Sequence, residues 1–412
     1  MKVLGIIAEY NPFHNGHFYQ LKKAKEKTGA NYIVAIMSGD FTQRGEAAIL
    51  DKYSRTKMAL ACGIDLVIEL PVCFAAGSAE FFARSAISHL TRMGIVDILC
   101  FGSECGNLNL LMSIANILSD EPALYQTFLK NHLKQGLSFP TARSKALSDY
   151  FALIHQDCTE DMTEALSQPN NILAIEYLKA IKKLNSPLQP LTIKRISSGY
   201  HDTALTSDIS SATALRSHIR SKNNVSELSR HIPKAAFQSF HHAIDMPIYN
   251  QDFSLQLNYQ LLSEINYQQF MDINGDLASR IFNMLDTYTS FDEFAAEIKC
   301  KQYTQTRINR CLCHILLHIT KELNADFINQ GYSSYLRVLG FQKASIPLLK
   351  NIKHNSELPM LLKMADTKHL LTTPQFTLLQ SDLYAANIYR HAKQIKFGKI
   401  FPNEFTQGVI LN

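Results

Sequence analysis

The sequence predicts an α/β fold, a doubly wound parallel sheet followed by a mainly α-helical second half. Two observations carry this expectation. Short apolar runs recur at Val3 to Ala8, Tyr32 to Met37, Asp65 to Leu70 and Val96 to Phe101, and a segment of helical spacing separates each from the next. Strands buried on both faces read as continuous apolar runs, and their alternation with helices implies parallel pairing through right-handed crossovers. The alternation stops near the polar stretch Lys222-Asn223-Asn224, which reads as a linker. The boundaries are therefore drawn at 1–222, with a helical insertion over about 107–165, and at 223–412.

Taken in order, the first strand ends in the turn residues Asn11, Pro12, Asn15 and Gly16, before a helix expected to begin near His17. Lys22, Lys23, Lys25 and Lys27 mark the outer face of that helix. Ser38-Gly39-Asp40 closes the second strand. Asp51 suits the N-cap of a helix running through Cys62, and Gly63 its stop. Pro71 stops the third strand, Ser78 opens a helix to about Met93, and Gly102-Ser103-Glu104 follows the fourth strand. Leu108 to Tyr150 is helical in pattern, with a break at Gly136 to Pro140. Pro169-Asn170-Asn171 starts a helix, where an Asn ordinarily serves as a cap. Leu191 to Ile196 is the last strand. Lys194 and Arg195 alternate in direction along it, so one of the two is expected to face a cleft. Farther on, helices are expected near Ser254 to Leu262, Leu277 to Leu285, Phe291 to Lys299, Thr304 to Leu323 and Ser345 to Asn351.

A chain of 412 residues with 46% apolar and 19% charged content is that of an ordinary globular protein, neither disordered nor fibrous. The net charge of +5 permits a nucleic-acid partner without requiring one. Arg307, Arg310, Lys321, Arg337, Lys343, Lys350, Lys353, His354 and Lys363 lie among Tyr303, Tyr332, Tyr335 and Phe341. Such interleaving suits RNA contact and base stacking, and it equally suits a solvated helical surface. The eight cysteines (Cys62, Cys73, Cys100, Cys105, Cys158, Cys300, Cys311 and Cys313) form no CxxC pair, which points to reduced thiols. With no apolar stretch of membrane-spanning length, and Met1-Lys2 leading directly into a strand, the expected location is the cytoplasm.

The chemistry concentrates at His14-Asn15-Gly16-His17, on the junction between the first strand and its helix. At such a junction free N–H groups and the positive end of the helix dipole face outward, which favours a phosphate. Gly16 lets a ligand approach the backbone. His14 and His17 lie in a turn with no third ligand nearby, so phosphate contact is expected and no metal site. Asp40, Gln43 and Arg44 follow the second strand and should border the same cleft, although Asp40 also suits a cap and Arg44 a solvated loop. A second phosphate element is Ser210-Ser211-Ala212-Thr213-Ala214-Leu215-Arg216: its hydroxyls cap a helix or bind phosphate, and Arg216 offers a bidentate fork.

The HNGH element resembles the HxGH signature of the nucleotidyltransferase superfamily. Together with SGDFTQRGEAAILDKYSR, DLVIELP, FGSE, PNNILAIEYLKA and SSATALR in that order, it resembles the bacterial tRNA(Met) cytidine acetate ligase family. The resemblance is dense in the first half and holds in outline in the second. It implies a Rossmann-like sheet of nucleotidyltransferase type in 1–222 as the ATP-binding catalytic domain, and tRNA binding by 223–412. It implies ATP contact at Ile7, Ala8, Glu9, Tyr10, Asn11, Pro12, Phe13, His14, Asn15, Gly16, His17, Phe18, Tyr19 and Gln20. Further ATP contacts are implied at Gly102, at Asn170 or Asn171, and at Arg195, Ser211, Thr213 and Arg216. His14, His17 and Arg216 would be catalytic. Ala212 stands where the pattern has its second Ser, which leaves open the hydroxyl that is used.

The implied reaction activates acetate with ATP, assisted by Mg²⁺. It forms acetyl-adenylate, releases pyrophosphate, and transfers acetyl to the wobble cytidine of elongator tRNA(Met), giving N4-acetylcytidine. Asp40 and Arg44 would shape the acetate and cytidine pocket. Two rival readings are a small-molecule adenylyltransferase of cofactor biosynthesis and a non-catalytic RNA-binding protein on a nucleotide-binding fold.

Overall fold

In the computed structural model, which describes residues 1–137, 139–154, 165–196, 210–221 and 225–412, the apolar runs form one sheet. β1 (Val3–Ala8), β2 (Tyr32–Ser38), β3 (Leu66–Leu70), β4 (Ile98–Ser103) and β5 (Gln189–Lys194) pair in parallel in the order β5-β4-β1-β2-β3. β1 runs between β4 and β2, so the order reverses at its carboxyl end. That reversal opens a crevice, the place where open α/β sheets take ligands.

The sheet does not stop at β3. β6 (Leu336–Phe341) pairs antiparallel with β3, and β7 (Met360–Leu361) and β8 (Ile410–Leu411) pair parallel with β6. The sheet is therefore mixed, and its last strands come from the half of the chain expected to be helical. Arg337 hides β6 from a sequence reading, because it interrupts the apolar run Leu336 to Leu339. It is also no RNA-facing cation: Arg337, Tyr335 and Tyr303 are all buried.

α1 (Asn15–Thr28), α2 (Lys52–Ala61), α3 (Val72–Ala75) and α4 (Ala79–Arg92) connect the strands. The insertion forms α5 (Leu108–Asp120), α6 (Ala123–Lys134) and α7 (Phe139–Ile154), broken at the left-handed Glu121 and at Gly136. The linker residues 222–224, Cys158 and the end of the insertion at 155–164 lie outside the described residues. Helices dominate the second half, but the helix expected over Thr304 to Leu323 is two, Gln305–Leu316 and Lys321–Asn329, with a left-handed His318 between them. The seven described cysteines are free. Among the described residues no helix is long and apolar enough to cross a membrane.

Two apolar clusters cover the two faces of the sheet. A third joins Phe41, Val72, Cys73 and Phe74 of the first half to Phe253, Leu257, Leu312 and Tyr389 of the second. Between the halves lies a buried ionic cluster. Lys52 Nζ reaches Glu69 Oε1 at 2.9 Å and Glu404 Oε2 at 3.1 Å, Arg337 pairs with both carboxylates, and Tyr53 donates to Glu404 at 2.8 Å. Two cations face two carboxylates, so the cluster is neutral. Burial would raise the Glu69 carboxyl, but Arg337 and Lys52 outweigh it and hold it below the usual range.

Removing one partner of such a cluster leaves a buried charge unmatched, which costs about 3–5 kcal/mol. Glu404→Gln should therefore lower the unfolding free energy by about 3 kcal/mol in urea titrations, by freeing the carboxyl-terminal tail from the sheet. A loss below about 1 kcal/mol, the range of exposed ion pairs, would show that the tail does not anchor there.

Candidate functional site

The crevice beside β1 is an open cleft lined by His14, Gly16, Tyr19, Gln20, Gly102, Ile193, Lys194, Arg195, Ile196, Ser210 and Ser211. Four separate stretches of sequence meet in its wall: the turn after β1, the end of β4, the end of β5, and the start of the helix Ala212–Arg220.

α1 begins at Asn15, two residues earlier than expected, and the two histidines build its start. His14 is the N-cap: its Nδ1 accepts the Gly16 N–H at 3.0 Å, while His17 Nδ1 accepts the His14 N–H at 3.3 Å. Each imidazole thus satisfies a backbone donor that the first helical turn leaves free. A ring nitrogen that accepts carries no proton, so each neutral ring has its proton on Nε2. The rings lie 3.8 Å apart, centroid to centroid, and 31° from parallel. Phe13 and Tyr10 pack against His17, and Tyr10 takes a left-handed φ of 49°.

Both imidazoles stay uncharged. Burial, then Arg195, Arg216 and His231, lower the His14 pKa to about 3, and burial with the neighbouring His14 and Arg195 lowers His17 well below its usual value. Two neutral Nε2–H donors beside arginines form a site for an anion without requiring either ring to titrate.

Arg216 reaches the same turn. Its guanidinium donates to the Asn11 carbonyl at 2.9 Å and to Thr213 Oγ1 at 3.3 Å, and it lies 3.9 Å from Glu46 Oε2. Ser211 caps the helix by accepting the Ala214 N–H at 3.0 Å, and it also lines the cleft. Arg195 follows the last residue of β5, so strand alternation no longer governs it, and both Lys194 and Arg195 border the cleft. Burial lowers the Arg195 pKa and the Glu104 carboxylate opposes the shift. A Cβ on Gly102 would lie 3.3 Å from Arg195 Cγ, so a side chain there would crowd the guanidinium stem.

Other expected residues hold the frame. Asn171 is buried and its Oδ1 accepts the Glu104 and Cys105 N–H groups, while Glu104 accepts the Asn171 N–H and Asn170 Nδ2. This reciprocal clamp fixes the loop after Gly102 to the start of the helix Pro169–Lys183. Asn15 donates its N–H to the His231 carbonyl and its Nδ2 to the Arg230 carbonyl. Asn11 Oδ1 accepts the Ile49 N–H, and Glu9 Oε1 accepts the Gln43 N–H. Ile7 and Ala8 end β1, Pro12 is buried behind the turn, and Phe18 is exposed on α1.

Asp40, Gln43 and Arg44 are not part of the cleft wall around His14. Asp40 is buried and Oδ1 accepts the Lys52 N–H at 2.8 Å, so it caps the loop and does not open to the crevice. Arg55 on α2 is buried: it donates to the carbonyls of Glu9, Ser38, Gly39 and Leu50, joining the ends of β1 and β2 to this loop. Sequence reasoning missed Glu46, Glu104 and His231. Two of them lie in quoted blocks, Glu104 in FGSE and Glu46 in SGDFTQRGEAAILDKYSR, while nothing in the sequence marks His231.

The profile of the HIGH Nucleotidyl Transferase family matches residues 1–400. The chain is 40% identical to a tRNA(Met) cytidine acetate ligase of Acetivibrio thermocellus over the whole of both chains. It is 41% identical to one of Thermoanaerobacter sp. over 94% of this chain and 95% of that protein. It is similar to two crystal structures of Thermotoga maritima TmcAL, each covering 100% of this chain and 99% of theirs. The apo form has a TM-score of 0.92 at 32% identity, and the form bound with alpha-thio ATP 0.91 at 31%.

The histidine pKa values have a direct consequence. In the unfolded chain each ring titrates near 6.5, whereas folded His14 does so only near 3. The fold's stability is therefore fully present above pH 6.5 and falls as the pH drops toward 3, because only the unfolded chain takes up the proton. Side-chain ¹⁵N NMR should find His14 and His17 as neutral Nε2–H tautomers at pH 5. Imidazolium shifts at that pH would overturn this assignment.

Proposed function

The chain belongs to the tRNA(Met) cytidine acetate ligase family of HIGH nucleotidyl transferases, and we propose that it uses ATP to activate acetate and acetylates a cytidine of elongator tRNA(Met). The carboxylate of acetate attacks the α-phosphate of ATP, acetyl-adenylate forms and pyrophosphate leaves. The exocyclic amine of the wobble cytidine then attacks the acetyl carbonyl, giving N4-acetylcytidine and AMP. The observation that carries this reading is the pair of neutral imidazoles, protonated on Nε2, of which His14 lines the cleft beside Arg195 and His17 stacks on it, on a turn whose Asn11 carbonyl accepts from Arg216.

Such donors stabilise charge that develops on phosphoryl oxygens, and this reaction asks for positioning and charge stabilisation more than for covalent work by the protein. Acetate is ionised at neutral pH and needs no base. In this reading His14 and His17 meet the phosphates, Arg216 with Ser211 and Thr213 grips the β- and γ-phosphates, and the base packs beside Gly102 and Arg195. Asn170 and Asn171 act by fixing the Gly102 loop. Asp40 fixes the loop that carries Arg44, and that loop bounds the pocket for acetate and cytidine outside the cleft wall itself.

Among the described residues no group of three His, Cys, Asp or Glu is placed to hold an ion. Mg²⁺ would therefore be held mainly by phosphate oxygens, where it neutralises part of their charge. The second half contacts the tRNA, and the free cysteines fit an enzyme of the cytoplasm.

The test is acetate-dependent release of pyrophosphate from ATP, with and without tRNA. His17→Ala should reduce it by about 100-fold or more, the scale for losing one such donor. Pyrophosphate release that ignores acetate, or a His17→Ala enzyme of undiminished rate, would reject the assignment.

A further inference from the structure

Glu46 has no role in the reaction described above, yet its carboxylate lies 3.9 Å from Arg216, the arginine read as the grip on the outer phosphates. The loop that carries it is fixed from several sides. The Glu46 carbonyl accepts the Thr42 N–H at 2.9 Å and the Thr42 hydroxyl at 3.0 Å, and the Gly45 N–H closes on the Thr42 carbonyl. Gly45 takes a φ of +69° and lies against the Asn309–Arg310 backbone, where a side chain has no room. Asn250, from the second half, accepts the Ala47 N–H at 2.8 Å. Asn11 ties loop and arginine together, since Oδ1 accepts the Ile49 N–H and its carbonyl accepts from Arg216. Glu46 therefore faces Arg216 from a rigid turn.

The partners of Arg216 differ in kind. Asn11 and Thr213 offer neutral oxygens that a phosphate does not need to displace. Glu46 offers a negative charge, and a triphosphate brought to the same guanidinium would share it with, and be repelled by, that carboxylate. Resting on the reading of Arg216 as a phosphate ligand, we propose that Glu46 is a positioning residue that competes with the nucleotide for Arg216. It holds the guanidinium at the cleft edge when no phosphate is present, and it weakens the grip on ATP and on departing pyrophosphate. The side chain is about one-third exposed, so its replacement leaves the core intact.

The experiment measures ATP binding to the full chain by calorimetry, without acetate, for the wild type, Glu46→Gln, Arg216→Ala and the double variant. Glu46→Gln should tighten ATP binding by about threefold to fivefold, the upper part of the range for an exposed ion pair. Arg216→Ala should weaken it at least about tenfold, and in that background Glu46→Gln should change it less than about twofold, because its effect passes through Arg216. Unchanged or weaker binding by Glu46→Gln beside a weakened Arg216→Ala overturns the competition alone. So does an effect of Glu46→Gln that persists without Arg216. ATP binding by Arg216→Ala at wild-type strength overturns the reading of the phosphate site itself, and the competition with it. Glu46→Asp, whose shorter arm withdraws the carboxylate, should fall between wild type and Glu46→Gln; binding weaker than wild type would count against the proposal.

Discussion

The start of α1 is the constraint on which the site depends. A helix leaves its first N–H groups without partners, and here two imidazoles take the place of the usual Ser, Thr or Asp oxygen. The exchange does more than cap. Because Nδ1 of each ring accepts from the backbone, the proton is directed to Nε2, and burial beside two arginines keeps the rings neutral. Helix geometry, tautomer and charge state follow from the same two hydrogen bonds. A side chain that bound phosphate without capping α1 would have to hold its orientation by other means.

Around that start the loop from Asp40 to Leu50 acts as the hub between the two halves. Arg55 ties the Leu50 carbonyl to those of Glu9, Ser38 and Gly39, Asn11 holds Ile49, and Asn250 and Tyr389 of the second half hold Ala47 and Ala48, with Lys393 paired to Asp51 just beyond. The second half also completes the sheet through β6 and neutralises the cations of α2 and β6 through Glu404. Its residues thus set the shape of the loop that faces Arg216.

Much of the first half was legible. β1 to β4 betray themselves because strands covered on both faces must be apolar throughout, and Asp51 and Ser78 stand at N-cap positions, Asp51 with its carboxylate accepting the Ser54 N–H. The HNGH turn and the Ser211 to Arg216 element announce phosphate chemistry through residue type and position. Less legible was which hydroxyl, amide or carboxylate works at the cleft and which holds the frame. Asn171, Asp40 and Asn15 look like ligands in one dimension and are occupied by backbone groups in three.

From the chain alone follow the parallel strands, the helix starts and the two anion-binding elements, since each is written in local periodicity and cap chemistry. Long-range pairing decides the rest. β6 carries a buried Arg337 that no local rule assigns to a core, and it becomes tolerable only when Glu69 and Glu404, distant in sequence, meet it. The pairing of Glu46 with Arg216 likewise shows only when the fold sets them 3.9 Å apart. Charge burial depends on partners, and partners that lie hundreds of residues away leave no trace in spacing.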